Sequence, residues 1–487
     1  MTGTMAATPS ILLLHPSTFY TPSEGPPIEI KTPLLLLASY LAERFEVTYE
    51  DFEVSVGRPC SPAQIRRYER HVREYFERHP FDILAISCWT SLSFTATMAC
   101  ARIFRELYPD RLIVVGGYHP SARPKDFLTP DNLIDYVVVG EGEIALGELA
   151  ERYSLTGCPD HTSVVAGRSL APDELVGHDW DTIDHFVNRH FSTGLSNLYL
   201  FLSRGCPFRC SFCMESLKEG GWRAYSPEHA MREIVVGAER HKPHAIAFAD
   251  ACFGMRPGWR KEFLRLLAEY APPFWIVFET RAEYLDDDDI ELLARLPRLE
   301  IQFGLESASP QMLGLMHKTK RPEKYLERFR HVSDLLNQHG ILHRANMIFN
   351  HPGETRATLE ETFAFIDERL AIDRSYLMWA YYGFLDFPGC EIDRNRTFFE
   401  TTFGSRFLSS EWWRADSDQT AASQASVPSS DLDGANVDLW ERMAALRKRR
   451  MQECLAPRAF AFAALKYSPE WQDDPRYAEA KKTLVVS

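Results

Sequence analysis

Ser203-Arg204-Gly205-Cys206-Pro207-Phe208-Arg209-Cys210-Ser211-Phe212-Cys213 sets three cysteines in a C-x-x-x-C-x-x-C run. Three thiolates at this spacing can hold three irons of one [4Fe–4S] cluster and leave the fourth iron without a protein ligand. An iron with an open position can bind and activate a small molecule, unlike a cluster closed by four cysteines. The run follows the apolar stretch Leu198-Tyr199-Leu200-Phe201-Leu202, so it is expected on the loop after a strand. Phe212 places an aromatic face beside the cluster. The competing reading is a structural zinc site, which needs four ligands. No Cys or His follows at knuckle-like spacing; the next ones are His229 and Cys252.

Toward the C-terminus, strands are expected over 245–250, 275–279, 299–304, 343–349 and 376–382. Helices fall between them, over 227–241, 259–270, 285–296, 322–339 and 355–369. With the strand before the cysteines this makes six strands in βα alternation. Toward the N-terminus, mostly continuous apolar strands are expected over 11–14, 45–49, 83–87, 112–117 and 136–139, with helices over 33–44, 62–78 and 94–108. Such strands imply a parallel sheet covered on both faces. Doubly wound sheets of this kind bind ligands outside the carboxyl ends of their strands.

Those strand ends read His15-Pro16-Ser17, Ser87-Cys88-Trp89-Thr90-Ser91, Gly116-Gly117-Tyr118-His119-Pro120 and Gly140-Glu141-Gly142-Glu143. Glycines there either let the backbone approach a large planar ligand or make tight strand-to-helix turns. Polar groups also end the later strands: Asp250, Glu279-Thr280-Arg281, Gly304-Leu305-Glu306-Ser307 and Asn350-His351-Pro352-Gly353-Glu354-Thr355. The planar donor fork of Arg281 suits a carboxylate. Lone carboxylates at helix starts often only cap them, which is the reading for Glu354 and Thr355. Cys252 faces the same mouth as Asp250 and reads either as a hydrogen-atom donor or as a small buried residue.

The cysteine run resembles that of the radical S-adenosylmethionine (SAM) enzymes. The four N-terminal loops resemble the cobalamin-binding domain found ahead of many of them. The resemblance covers roughly residues 8–390. It implies a doubly wound, Rossmann-like N-terminal sheet, then a partial (β/α)6 barrel with its site at the strand C-terminal ends, and a small, mostly helical C-terminal region. The implied domains are 1–160 for cobalamin and 196–390 for the barrel, with 161–195 as linker and 391–487 as C-terminal region; 415–438 reads as flexible.

The implied cofactors are one [4Fe–4S] cluster on Cys206, Cys210 and Cys213, SAM, and cobalamin. SAM is expected to meet Phe212, Asp250, Glu279, Arg281, Glu306, Ser307 and Asn350. The stretch from Gly304 through Leu313 to Met316-His317-Lys318 resembles the family's G-x-E-S…L…M-x-K pattern. Cobalamin is expected to meet His15, Ser87, Trp89, Thr90, Ser91, Gly116, Gly117, His119, Gly140, Glu141, Gly142 and Glu143. Two departures stand out. No His has an Asp two positions earlier, so the D-x-H-x-x-G motif of histidine-ligated cobalamin is absent. Asn350-His351 also replaces the family's usual Gly-Leu before Pro-Gly-Glu-Thr.

The resemblance implies a methyltransferase, since most enzymes of this kind use a 5′-deoxyadenosyl radical and methylcobalamin on carbon or phosphorus centres without a nucleophilic lone pair; an unactivated carbon is the expectation here. A small natural-product or lipid-type substrate is the expectation here, with flavodoxin or ferredoxin as electron donor. The rival within the fold is rearrangement, ring contraction, cyclisation, dehydration or deoxygenation, with or without cobalamin. Enzymes that thiolate RNA or protein need a second N-terminal cysteine set, and Cys60, Cys88, Cys100 and Cys158 are widely spread. A non-enzymatic iron–sulfur protein is the remaining alternative.

The 487 residues carry a net charge of −14, which argues against a broad nucleic-acid footprint. The run Arg447-Lys448-Arg449-Arg450 reads as a solvated helix face. No apolar run reaches membrane-spanning length, and scattered cysteines argue against a disulfide framework, so a reducing cytoplasm is expected. The aromatic residues Phe398, Phe399, Phe403, Phe407, Trp412 and Trp413 could cover an apolar substrate, close the barrel bottom or seal a domain interface.

Overall fold

Six parallel strands form the N-terminal sheet: β1 (Ser10–His15), β2 (Glu46–Asp51), β3 (Ile83–Ser87), β4 (Leu112–Gly116), β5 (Tyr136–Val139) and β6 (Ser163–Ala166). Their order is β2-β1-β3-β4-β5-β6. Ile11-Leu12-Leu13-Leu14 is fully buried because helices cover both faces of the sheet. The order reverses at β1 and opens a crevice at the strand C-terminal ends. The computed structural model describes residues 8–19, 30–157, 163–191, 195–217, 220–372, 374–414 and 426–484, leaving Cys158 outside.

Strand β6 corrects the expectation of a linker over 161–195. It pairs with β5 from Tyr136↔Ser163 to Val139↔Ala166. Its alternating half-buried, exposed pattern is that of an edge strand, which a search for apolar runs passes over. The same stretch holds helix Trp180–His190, capped by Asp179. Phe186 of this helix packs edge-on against Tyr49 at 4.7 Å. Thr32 Oγ1 donates to Tyr199 O at 2.7 Å, tying the first helix (Thr32–Ala42) to the second half.

The second sheet begins with β7 (Asn197–Leu200). A two-residue antiparallel ribbon follows, β8 (Ser203–Arg204) with β9 (Arg223–Ala224), too short to leave a periodic signal. Then come β10 (Ala245–Phe248), β11 (Trp275–Thr280), β12 (Leu299–Glu306), β13 (Leu342–Phe349) and β14 (Leu377–Gly383). The order β14-β13-β12-β11-β10-β7 is wholly parallel, as expected for a partial barrel. The β12–β13 register shifts between Gly304 and Glu306, where Glu306 takes φ 68°.

Of the stretch expected to be flexible over 415–438, residues 415–425 lie outside the described part. The rest is structured: Ser426–Val427 (β16) pairs with Arg406–Phe407 (β15), and helix Ala435–Cys454 starts within the stretch expected to be flexible. Trp412 and Trp413 are buried in the core of the N-terminal domain, so this part of the aromatic segment seals a domain interface. Phe399 and Phe403 belong to a separate cluster with Phe384 and Phe212. Helix Pro457–Lys466 closes the N-terminal end of the barrel, with Phe462 4.0 Å from Trp275. Tyr467 there donates to Glu300 Oε2 at 2.6 Å. Among the described residues no helix is long and apolar enough to cross a membrane.

Candidate active site

The cluster loop is held from three sides. Asp250, beyond the end of β10, accepts from Leu202 N at 2.8 Å, Ser203 N at 3.2 Å and Ser203 Oγ at 2.6 Å. Its carboxylate is thereby spent on the loop rather than turned to SAM. Ser211 donates through N to Met316 O at 2.9 Å and through Oγ to Leu315 O at 3.0 Å. Ile392 N donates to Ser211 O at 3.2 Å. Cys206, Cys210 and Cys213 are free thiols within this frame. Burial raises Cys206 and pushes Cys213 up to about 12, and the neighbouring thiolates add to both shifts. Three crowded thiolates are stable when iron compensates their charge, so this donor set fits a cluster. Among the described residues no three His, Cys, Asp or Glu side chains are grouped to hold one ion, whereas a cluster asks each thiolate for a different iron.

Beside the loop, Lys318 Nζ donates to Glu306 Oε1 at 2.9 Å, both side chains under one-tenth exposed. Burial works against the ammonium, but Glu306 outweighs it and lifts Lys318 above the ordinary lysine value. A Cβ on Gly304 would come within 2.6 Å of Glu306 Oε1 and 2.8 Å of Lys318 Nζ, so the pair occupies the space that this glycine leaves and a side chain there would displace it. Arg281 Nη2 donates to Lys318 O at 2.6 Å, and the guanidinium lies 3.8 Å above the Phe208 ring. Its Nη1 is buried without a partner among the described residues, leaving a donor for a ligand. Glu279 has accessible surface yet is desolvated by surrounding protein, as befits a carboxylate lining a lumen; burial and then Glu306 raise its pKa.

The structure thus brings Arg281, Glu306 and Glu279 together and adds Lys318, whose signal was the M-x-K end of the motif. Other expected SAM residues are engaged elsewhere. Ser307 Oγ pairs with Thr362 Oγ1 at 3.0 Å and accepts from Ser309 N at 3.1 Å. Asn350, at φ 62°, accepts from Trp440 Nε1 at 2.9 Å and donates through N to Glu354 Oε2 at 2.7 Å. Thr355 caps helix Arg356–Leu370, while Glu354 braces the preceding turn instead of capping. Phe212 meets His351 edge-on at 6.3 Å. Cys252 is buried 3.9 Å from Thr280 Oγ1, and burial pushes its thiol up to about 12, with Cys206 adding.

A cavity at the C-terminal ends of the first sheet opens against this loop. Ser87, Trp89, Gly116, Gly117, Gly140, Glu141, Gly142 and Glu143 line it as expected. Its other wall holds Phe201, Ser203, Arg204, Gly205, Glu215 and Leu217, all from the cluster segment. Leu34, Leu36 and Leu37 of the first helix add an apolar side, and Tyr118 and Ser121 also line it. Trp89 and Tyr118 meet edge-on at 5.1 Å, and the Tyr118 hydroxyl bonds Glu215 across the gap. Four expected residues are not brought there. His15 pairs with Glu53 at 3.1 Å, and His119 pairs with Asp126 at 2.9 Å and stacks on Phe94. Thr90 caps the next turn, and Ser91 is buried outside the lining. No histidine among the described residues lines the cavity, in keeping with the missing D-x-H-x-x-G motif. Gly117, at φ 117°, is needed for chain packing: a Cβ would stand 2.5 Å from Cys88 O. The apolar wall, two aromatic rings and polar strand ends fit a large, partly apolar cofactor such as cobalamin.

Comparisons with known proteins agree. The B12 binding domain model matches residues 24–150, and the Radical SAM superfamily model matches 200–366. An uncharacterized methyltransferase of Pyrococcus horikoshii is 26% identical over 307 residues, covering 60% of this chain and 65% of that protein. The cobalamin-dependent radical SAM methyltransferase TokK of Streptomyces tokunonensis is 32% identical over 195 residues, covering 36% and 28%. The chain spans less than two thirds of the length of these curated relatives. The radical SAM methyltransferase TsrM of Kitasatospora setae superposes with TM-score 0.66 at 16% identity, covering 98% of this chain and all of that one, which shows a shared fold. A radical SAM domain implies a [4Fe–4S] cluster and SAM, and a B12 binding domain implies cobalamin. Residues 200–366 thus form a radical SAM domain, and residues 24–150 ahead of it a B12-binding domain.

Proposed function

We propose that this protein is a cobalamin-dependent radical SAM C-methyltransferase acting on an unactivated carbon of a small natural-product or lipid-type substrate. One observation carries the reading: the cavity of the first domain and the cluster loop of the second share a wall, at Ser203, Arg204 and Gly205. When bound, the cofactors supply radical generation and a transferable methyl group.

The chain's own part is to hold and orient. Cys206, Cys210 and Cys213 hold three irons. Arg281, with its open Nη1, offers a fork to a carboxylate, and Glu306 with Lys318 fixes the polar floor beside it. Leu34, Leu36, Leu37, Phe201 and Leu217 exclude water from the cavity. Glu279 and Tyr382 face the lumen where a substrate would lie, on the same side of the sheet as the small residues Ala245 and Ala247 of β10, the strand next to that of Glu279. Electrons come from a small carrier of the flavodoxin or ferredoxin type.

The test is anaerobic purification, cluster reconstitution, addition of hydroxocobalamin and desalting, with iron and cobalt counts and an absorption spectrum. Near-stoichiometric cobalt beside one four-iron cluster, then transfer of label from methyl-labelled SAM to a substrate, is the expected result. A loaded cluster with no retained cobalamin overturns the methyltransferase reading and leaves rearrangement, cyclisation or dehydration.

A further inference from the structure

Glu141, on the loop after β5, and Glu143, the first residue of the helix that follows (Glu143–Thr156), both line the cavity. Their carboxylates are not turned to a ligand. Arg204, on β8 two residues ahead of Cys206, hydrogen-bonds Glu143 Oε1 and lies 3.8 Å from Glu141 Oε2. Arg223, its neighbour across the ribbon on β9, donates through Nη1 to Glu141 Oε2 at 3.1 Å and to Leu170 O at 2.6 Å. Leu170 N donates to the same Glu141 Oε2 at 3.1 Å. The four side chains are only 6% to 14% exposed. Two cations from the cluster segment therefore meet two anions from the first domain with little access to water.

Closed, the four charges of this clamp compensate one another; half open, it strands a buried charge. The backbone leaves it no slack. A Cβ on Gly205 would stand 2.1 Å from Gly221 O, and one on Gly167 would stand 1.9 Å from Glu141 O. Arg204 and Gly205 are at once part of the cavity wall and the entry to the cysteine run.

We propose that this clamp couples the two cofactor sites: a loaded cluster holds the cavity wall in the form that accepts cobalamin, and a filled cavity holds the cysteine run. Arg204 is the positioning residue. The proposal rests on the cavity being the cobalamin site. Coupling between two binding sites is reciprocal, so it can be read from either one.

The experiment is equilibrium titration with hydroxocobalamin of the full-length protein, once with its cluster reconstituted and once after iron removal by a chelator. Wild type, Arg204→Gln, Arg204→Lys and Glu143→Gln are compared. Cluster loading is expected to tighten hydroxocobalamin binding in the wild type by at least about fivefold. Arg204→Gln and Glu143→Gln are expected to bring that ratio close to one while both still bind, and Arg204→Lys to keep part of it. Glu143→Gln carries the test if Arg204→Gln does not fold. Equal affinity in the two states of the wild type overturns the proposal, as does an unchanged ratio in both glutamine variants. No binding in either state of the wild type overturns the cavity reading beneath it, a distinguishable result.

Discussion

Lys318 and Glu306 form a buried ion pair at 2.9 Å beside the cluster loop, in space that Gly304 leaves open. Removing one partner strands the other charge, at a cost of about 3–5 kcal/mol. Lys318→Met is therefore expected to lower the urea midpoint sharply and abolish SAM binding. The double variant Glu306→Gln/Lys318→Met is expected to regain much of the stability but not the SAM affinity. Urea titration and calorimetry with SAM check this. A Lys318→Met protein with unchanged midpoint and affinity would remove the pair from the site.

Asp250 accepts three hydrogen bonds from the stretch entering the cluster loop. Burial lifts its pKa to about 6, against the pull of those bonds. Asp250→Ala leaves two buried N–H groups without an acceptor, each worth about 1–3 kcal/mol. It is expected to reconstitute with well under half the iron of the wild type. Asp250→Asn keeps an acceptor for both N–H groups and is expected to load normally. Equal iron in all three proteins, measured after identical reconstitution, would deny the loop-holding role.

Much of this site was legible in the sequence. Cys206, Cys210 and Cys213 announce themselves by spacing, and Glu306 and Lys318 by the motif that links them. Asp250 was legible as a strand-end carboxylate but not as a loop anchor, because its partners Leu202 and Ser203 lie 48 and 47 residues away. Glu141 and Glu143 were legible as strand-end residues and do line the cavity, yet Arg204 and Arg223 are 61 and 82 residues on, so their pairing becomes visible only when the domains meet. His15 and His119 were misplaced because a strand-end position does not say which way a ring turns; buried carboxylates claim both.

Glu354 carries a pH signature. Burial raises its pKa from 4.5 to about 8, with the Asn350 N–H pulling the other way. Below pH 4.5 both folded and unfolded chains are protonated there. Above it the unfolded chain releases the proton while the fold retains it, so stability falls as pH rises toward 8, by up to about 1.4 kcal/mol per unit. Neighbouring His351, lowered by burial to about 4, costs stability only below pH 6.5. Between pH 6.5 and 8, Glu354→Gln is therefore expected to show a flatter fall in urea midpoint than the wild type. Parallel curves would mean that Glu354 is ionised in the fold.

Trp413 lies far along the chain from the N-terminal domain yet sits in its core, 2% exposed, 5.2 Å from His119 and 5.3 Å from the Arg123 guanidinium. Arg414, next in sequence, pairs with Asp126 at 2.8 Å, the same carboxylate that binds His119. Removing a buried indole costs about 3–5 kcal/mol, and here the loss falls on a tie between domains. Trp413→Ala is expected to lower the midpoint of the N-terminal domain selectively and weaken hydroxocobalamin retention. Cluster loading, which depends on contacts around Ser211 and Asp250, should stay near the wild-type level. Hydrogen exchange read over residues 94–127, with iron and cobalt counts on the same samples, separates these effects. Equal loss of iron and cobalt would show that the segment carrying Trp412, Trp413 and Arg414 supports the whole fold instead of the first domain alone.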